Sequence, residues 1–258
     1  MNSSSSVVKV HPTESHTNIQ IDTLQTLTAC AETYGPQTIS TYAVSIWDTI
    51  RFEIINANEE DISSRALELV KALTKTLSFG LVEATPSSPL AQFLKVVVET
   101  CTKELRDPEA KSARPAGKVL AECASVSPPA NKYVIEKIIP VLVLIFRETE
   151  SVNKRTAILE NLNGFLDATG KVYVDADPES VPIMLVKDDL FEVYSKGFLG
   201  SSSEETTYKL TALEGFRKLL SLRGILANNE MGIVVQYLDD VVLRDENEET
   251  WYIRYQHI

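Results

Sequence analysis

Residues Asn131 to Ala168 read NKYVIEKIIPVLVLIFRETESVNKRTAILENLNGFLDA, and this stretch decides the fold class. In its first half Val134, Ile135, Ile138, Ile139, Val141, Leu142, Ile145 and Phe146 circle most of a helix. A helix without a wide polar face needs cover on several sides. In the second half Ala157, Ile158, Leu162, Phe165 and Leu166 recur at helical spacing, with Lys154, Arg155, Glu160 and Asn163 between them. That pattern predicts a one-sided helix. The polar run Arg147 to Asn153 is a turn, so the two helices fold back antiparallel. One hairpin cannot bury this much apolar surface, and the flanking sequence supplies its neighbours.

Upstream, Ile21, Leu24, Leu27, Ala31 and Tyr34 mark a helix from about Ile19 that Gly35-Pro36 stops. A pair of helices follows through Ile39–Ile55 and Ala66–Leu77, then Phe79 to Pro89 as a connector. The next pair runs through Leu90–Leu105 and Ala113–Ala124, with Asp107-Pro108-Glu109 as its turn. Pro115 is expected to kink the first turns of its helix, and Pro128-Pro129 to end it. Pro140 predicts a kink within the central hairpin. Downstream, Gly170 to Pro182 reads as a surface insertion in which Val172-Tyr173-Val174 is not assigned to a strand. Helices resume at Ile183–Leu199 and Leu210–Leu220, where Ser203 is a candidate cap, and at Asn228–Leu243.

The turns at Asn58–Asp61, Arg106–Glu109, Glu148–Ser151 and Ser201–Glu204 each divide an apolar helix from an amphipathic one. Their spacing approaches the roughly 40–47 residues of HEAT or armadillo units. The expected fold is therefore all-α, a right-handed superhelical HEAT/armadillo-type α-solenoid of antiparallel helix hairpins. Residues 1–16 are expected to form a serine-rich tail, 17–243 a single solenoid with an insertion at 170–182, and 244–258 an acidic and aromatic tail. Arg65, Lys111 with Arg114, and Lys154 with Arg155 follow three of the turns. They are expected to pair with acidic turn residues of adjacent units and form a ladder along the stack. The Asn131–Ala168 hairpin is then structural filling, with binding contacts on the turns, the insertion and the exposed faces.

Composition narrows the function classes. Of 258 residues, 44% are hydrophobic and 7% aromatic, and the 10 glycines and 11 prolines are few for a β-sandwich or barrel. A net charge of −11, from 36 acidic and 25 basic residues, opposes direct binding to nucleic acid or an anionic membrane. No Lys/Arg run exceeds two residues. The longest apolar run, Ile138 to Phe146, is far short of the about 20 residues needed to cross a bilayer. The partners expected are proteins.

No catalytic, cofactor-binding or metal-binding residues are expected. Cys30, Cys101 and Cys123 are widely separated, form no CxxC pattern, and read as small buried residues kept reduced. His11, His16 and His257 lie in the presumed tails. Asp175, Asp177 and Glu179 form a short carboxylate run without the glycine and terminal glutamate of a calcium loop, so a solvated acidic loop is expected. Asp239-Asp240 and Asp245–Glu249 are acidic runs that keep a surface hydrated. No GxSxG, P-loop, HExxH or Rossmann glycine pattern occurs.

The run TLQTLTACAETYGPQTISTYAVSIWDTIRFEI, Thr23 to Ile54, resembles the MMS-nineteen family. The resemblance continues through DPEAKSARPAGKVLAECASVS and KRTAILENLNGFLDA, and more weakly through YKLTALEGFRKLLSLRGIL. It implies a HEAT-repeat scaffold of the cytosolic iron–sulfur assembly targeting complex, acting in cytoplasm and nucleus. It implies as partners the iron–sulfur apoproteins served by that complex, including DNA helicases, polymerases and the XPD subunit of TFIIH, together with the assembly subunits. Links to nucleotide excision repair and transcription would run through those clients. Three cysteines on separate helices are a poor supply for a cluster, so no cofactor is expected. Family members are several times longer, and Ile19–Tyr34 reads as a second helix without a first. An interior fragment is the expectation. Another HEAT adaptor, such as a phosphatase scaffold or a transport receptor, is the alternative reading.

Overall fold

The computed structural model of the chain describes residues 12–55, 59–199 and 206–248. The helices among them are α1 (Pro12–Thr33), α2 (Pro36–Ile55), α3 (Glu60–Ser78), α4 (Pro89–Leu105), α5 (Ala113–Ala124), α6 (Pro128–Glu148), α7 (Val152–Val172), α8 (Lys187–Leu199), α9 (Thr206–Ser221) and α10 (Asn228–Glu248). No strand occurs among the described residues, and Val172 to Val174 simply leaves the end of α7.

Prolines and serines set the boundaries. Pro36, Pro89 and Pro128 each occupy the first position of a helix, where a missing N–H leaves no hydrogen bond unmade. Ser88, Ser127 and Ser151 precede helices and accept from the amides of Ala91, Ala130 and Lys154. Pro128-Pro129, expected to close one helix, instead opens the next. Pro115 sits in the first turn of α5, again where its lost donor has no intrahelical acceptor.

Other bounds differ from the sequence reading. Helix α1 starts at Pro12 rather than near Ile19, and α10 continues to Glu248, past residue 243. Helix α7 runs through Gly170 to Val172. The connection after it contains two 3-10 turns, Pro178–Ser180 and Pro182–Val186, so α8 begins at Lys187 and not at Ile183. The remainder of the two expected tails, residues 1–11 and 249–258, lies outside the described residues, as do Asn58 and the Ser201–Glu204 turn with Ser203.

The helices pack in two layers. Helices α2, α4, α6 and α8 follow one another in the first layer, and α1, α3, α5, α7 and α9 in the second. The pairs α2/α3, α4/α5, α6/α7 and α8/α9 close the hairpins. Helix α10 continues the first layer beside α8, where the Phe198 and Tyr237 ring centres lie 5.7 Å apart. A single apolar core runs through the stack from Leu24 to Val234, with Trp47, Phe93, Phe146, Phe165, Tyr194 and Phe216 fully enclosed. An all-α solenoid accounts for this packing: each unit finds cover only from the units beside it.

In the central hairpin α6 is covered on several sides, as its pattern suggested, but keeps one exposed side. In α6 the buried residues form one broad stripe, Val134, Ile135, Ile138, Ile139, Leu142, Val143 and Phe146, while Leu144 is 54% exposed. Pro140 stands on the exposed side, where the Glu136 carbonyl that loses its helical donor belongs to an exposed residue. Helix α6 packs against α4, α5, α7 and α8, and helix α7 against α5, α6 and α9.

Buried polar groups tie neighbouring units together. The Asn131 amide donates to the Ala124 carbonyl at 3.0 Å and to Thr169 Oγ1 at 3.2 Å. The Tyr194 hydroxyl donates to Asn163 Oδ1 at 2.8 Å, and Asn163 Nδ2 donates to the Thr211 carbonyl at 2.9 Å. Thr76 donates to the Ala31 carbonyl at 2.6 Å, joining α3 to α1. Buried groups without such partners would lose about 1–3 kcal/mol each, so these bonds fix one alignment between units.

The ion pairs have the same reach. Lys71–Glu122, Lys132–Glu83, Arg147–Asp189, Lys187–Glu230, Lys218–Asp167 and Arg223–Asp175 join residues 51, 49, 42, 43, 51 and 48 positions apart. That is one repeat in each case. Among the described residues the expected ladder of turn residues is present at one rung, Lys154 to Asp107 at 3.6 Å and to Glu109 at 3.9 Å. Arg65 instead bonds Glu68 within its own helix, Arg155 donates to the Thr149 carbonyl, and Lys111 and Arg114 enter no ion pair among the described residues. The pairs run between helix faces and connectors because those are the surfaces that adjacent units bring together.

Lys187 and Glu230 form the most sheltered of these rungs, with side chains 22% and 16% exposed. Glu230 also accepts the Ala227 amide at 2.7 Å and so caps α10. The Lys187 hydrogen bond, then the Ala227 amide, hold the Glu230 carboxyl below the usual carboxylate range. Its contribution to stability is therefore full above that range and is lost as pH falls through it toward the lower folded value. Glu230→Gln is expected to lower stability at neutral pH by about 1.5 kcal/mol, the lower end for charge-assisted bonds. The gap between variant and parent should close in acid. Urea unfolding at neutral and acidic pH measures both, and a gap that widens in acid would contradict the assignment.

Candidate interaction surface

Helices α5, α7 and α9 lie side by side in the second layer and leave an open groove of about 650 Å³ between them. Its floor is made of small residues, Gly117 and Ala121 on α5 and Gly164 and Ala168 on α7. At Gly117 the helices approach so closely that an added Cβ would stand 1.7 Å from Asn161 Oδ1. The Asn161 side chain lies over this glycine and donates to the Ala157 carbonyl at 2.9 Å. Gly164 is different, since a Cβ there would meet only the Ala121 methyl, at 3.7 Å. Helix α9 forms the far wall with Thr207, Leu210 and Thr211, and Leu210 is 59% exposed.

The charges of the groove divide by partner. Its acidic groups are mostly neutralised: Glu122 by Lys71 at 3.0 Å, Asp167 by Lys218, and Glu214 by Arg217 at 2.6 Å and Lys218 at 3.4 Å. The Arg217 hydrogen bonds, aided by Lys218, bring the Glu214 carboxyl down to about 2. Arg114, Lys118 and Lys171 are exposed along the groove and enter no ion pair among the described residues. Glu160 is the one acidic lining residue without an ion pair among them. The uncompensated charge of this surface is therefore positive, in a chain whose total is −11.

The residues singled out for chemistry are dispersed. Cys101 and Cys123 are buried, and Cys30 is partly covered. Burial pushes the Cys101 thiol well up and raises that of Cys123 to about 12, against a hydrogen bond from Thr74. At neutral pH both behave as small apolar residues. Asp175 pairs with Arg223 at 2.8 Å, while Asp177 caps the short turn after it by accepting from the Glu179 amide. Among the described residues no group of three or more His, Cys, Asp or Glu side chains is placed to hold a metal ion. No described helix is long and apolar enough to cross a membrane. His16 falls in the first turns of α1, and His11 and His257 lie outside the described residues.

The groove is what the sequence reading missed. It made the central hairpin structural filling and put contacts on the turns, the insertion and the exposed faces, whereas α7 of that hairpin lends residues 157, 161, 164 and 168 to one such face. The available signal was helical spacing of small residues on two consecutive second-layer helices, Gly117 with Ala121 and Gly164 with Ala168. That spacing marks close helix approach as readily as a surface.

Comparison with known proteins adds the family. A family described as Dos2-interacting transcription regulator of RNA-Pol-II matches residues 11–56, which cover α1 and α2. The chain is similar to the MMS19 nucleotide excision repair protein homolog of Mus musculus, with 27% identity over 232 residues, 90% of this chain and 22% of that protein. It is 28% identical over 220 residues to the Homo sapiens homolog, covering 85% of this chain and 21% of that protein. The DNA repair/transcription protein mms19 of Schizosaccharomyces pombe is 24% identical over 234 residues, 86% of this chain and 22% of that protein. The chain thus spans about a fifth of the length of the relatives it matches. Spread from mammals to yeast and reaching along most of the helical array, these similarities support the MMS19 family for this protein.

Proposed function

We propose that this chain is part of a non-catalytic interaction scaffold that holds iron–sulfur apoproteins of DNA repair, replication and transcription for cluster delivery, in cytoplasm and nucleus. The observation that carries the reading is the groove across α5, α7 and α9. It is open, floored by glycine and alanine, and walled by side chains from three successive units. A surface built this way is suited to recognising a protein segment. It offers no enclosed, desolvated pocket in which a nucleophile and base would be held together. The names of the relatives, nucleotide excision repair and DNA repair/transcription, agree with clients of that kind.

The scaffold works by display. The stack sets where the groove stands, and the cross-unit bonds keep its three helices aligned. The expected result is that a purified XPD-type DNA helicase, in its cluster-free form, binds this chain. Leu210→Glu should weaken that binding at least tenfold without shifting the thermal midpoint, because the side chain is exposed. Biolayer interferometry with the immobilised chain reads the binding, and circular dichroism during heating reads the midpoint. No binding of the helicase by the parent chain, or equal binding by the variant, would sink the proposal.

A further inference from the structure

The groove holds an imbalance that its shape alone does not require. Arg114 and Lys118 are four residues apart on α5, so they stand on the same side of that helix. Lys171 comes from the last turn of α7. All three are exposed, line one groove and lack an ion-pair partner among the described residues. The basic residues on the α9 side are spent within the protein: Arg217 and Lys218 hold Glu214, and Lys218 also holds Asp167. The result is a cationic wall facing a wall with an exposed leucine, Leu210, across a floor of Gly164 and Ala168.

We infer that this groove takes an extended acidic peptide segment of a partner protein, with carboxylates on Arg114, Lys118 and Lys171 and an apolar side chain against Leu210. The inference rests on the scaffold reading and names the chemistry of its ligand. Charge complementarity selects the occupant. An acidic chain repels most acidic segments at long range, and this wall gives such a segment a place to dock. A nucleic-acid strand would be drawn to the same three side chains, but it would bring a phosphate at every nucleotide toward Glu160 and an acidic surrounding surface. The glycine and alanine floor also provides no aromatic ring on which bases could stack.

The test is fluorescence anisotropy with a labelled peptide of alternating glutamate and leucine. A peptide with lysine in place of glutamate and a thymidine oligonucleotide of equal charge serve as competing probes. The acidic peptide should bind, with affinity that falls as salt is raised. The Lys118→Glu/Lys171→Glu double variant should weaken it at least tenfold, and Lys95→Glu, on the exposed side of α4, should leave it unchanged. Gly164→Leu fills the floor at a position with room for a Cβ, so binding should fall tenfold, with circular dichroism confirming that the variant remains helical. Undiminished binding by the double variant or by Gly164→Leu would overturn the inference. So would preference for the lysine peptide or the oligonucleotide. Helicase binding separates the two proposals: a helicase that binds where the acidic peptide does not refutes this inference alone, and a peptide that binds where the helicase does not refutes only the client assignment.

Discussion

Gly215→Ala is expected to destabilise the chain by about 3 kcal/mol, the upper end for forcing extra volume into a packed interior. Gly215 lies on α9 with the Tyr194 ring against it, and an added Cβ would stand 2.0 Å from Cε1 and 2.4 Å from two further ring atoms. The ring is fully buried and its hydroxyl is tied to Asn163, which is tied in turn to the Thr211 carbonyl. It cannot swing aside without breaking that line. Helix α9 has to shift instead, carrying Phe216 away from its edge contact with Phe191. Alanine normally favours a helix over glycine by about 1 kcal/mol, so the loss must also exceed that gain.

Gly117→Ala is the informative comparison. The nominal approach there is shorter, 1.7 Å, yet the atom met is the far end of a partly exposed asparagine, held only by its bond to the Ala157 carbonyl in the same helix. Asn161 can rotate into the groove, and the expected loss is under about 1 kcal/mol by the same volume argument. Urea unfolding of the two variants separates the cases. Equal midpoints would show that close approach alone, and not the stiffness of the neighbour, sets the outcome.

Phe146→Ala carries the second large effect, about 3–5 kcal/mol for emptying a buried aromatic site. Phe146 is fully buried near the end of α6, and the Arg155 guanidinium lies 5.3 Å from the centre of its ring. Arg155 is also held by the Thr149 carbonyl at 2.9 Å, so the ring, the arginine and the turn brace one another. Two residues away, Leu144 is half exposed, and Leu144→Ala should fall within about 0.5 kcal/mol of the parent. In a repeat array, weakening a central unit also weakens the coupling between the units on either side. Phe146→Ala should therefore broaden or split the urea transition followed by circular dichroism. A single transition as steep as that of the parent, at an unchanged midpoint, would refute the assignment.

Much of the architecture was readable from local pattern. The Gly35-Pro36 stop, the Phe79–Pro89 connector and the turn after Glu148 fall where the structure has helix ends, because each combines a broken apolar period with a residue that cannot continue a helix. Pro128-Pro129 was ambiguous for a physical reason. Proline is equally at home after a helix and at its first position, and only the Ser127 cap decides. The resemblance carried by Thr23–Ile54 overlaps the segment matched by the family, residues 11–56. The groove was beyond reach of pattern. Arg114 and Lys171 are far apart in the chain, and nothing in either neighbourhood says that the other's helix lies alongside. Their lack of acidic partners is a property of the packed array, since Lys71, Lys218 and Arg217 claim the carboxylates that would otherwise neutralise them.

The one-repeat reach of the cross-unit ion pairs has a mechanical consequence. Their separations of 42 to 51 residues mean that each such tether ends at the adjoining unit. Load applied at one end of the stack must then pass hand to hand, and small rotations at successive junctions add up along its length. Such a chain is compliant in the manner of a coil spring, with exposed charge pairs as its softest links. Raising ionic strength should slacken those links while the Asn131 and Asn163 bonds hold, so the pitch relaxes before any unit melts.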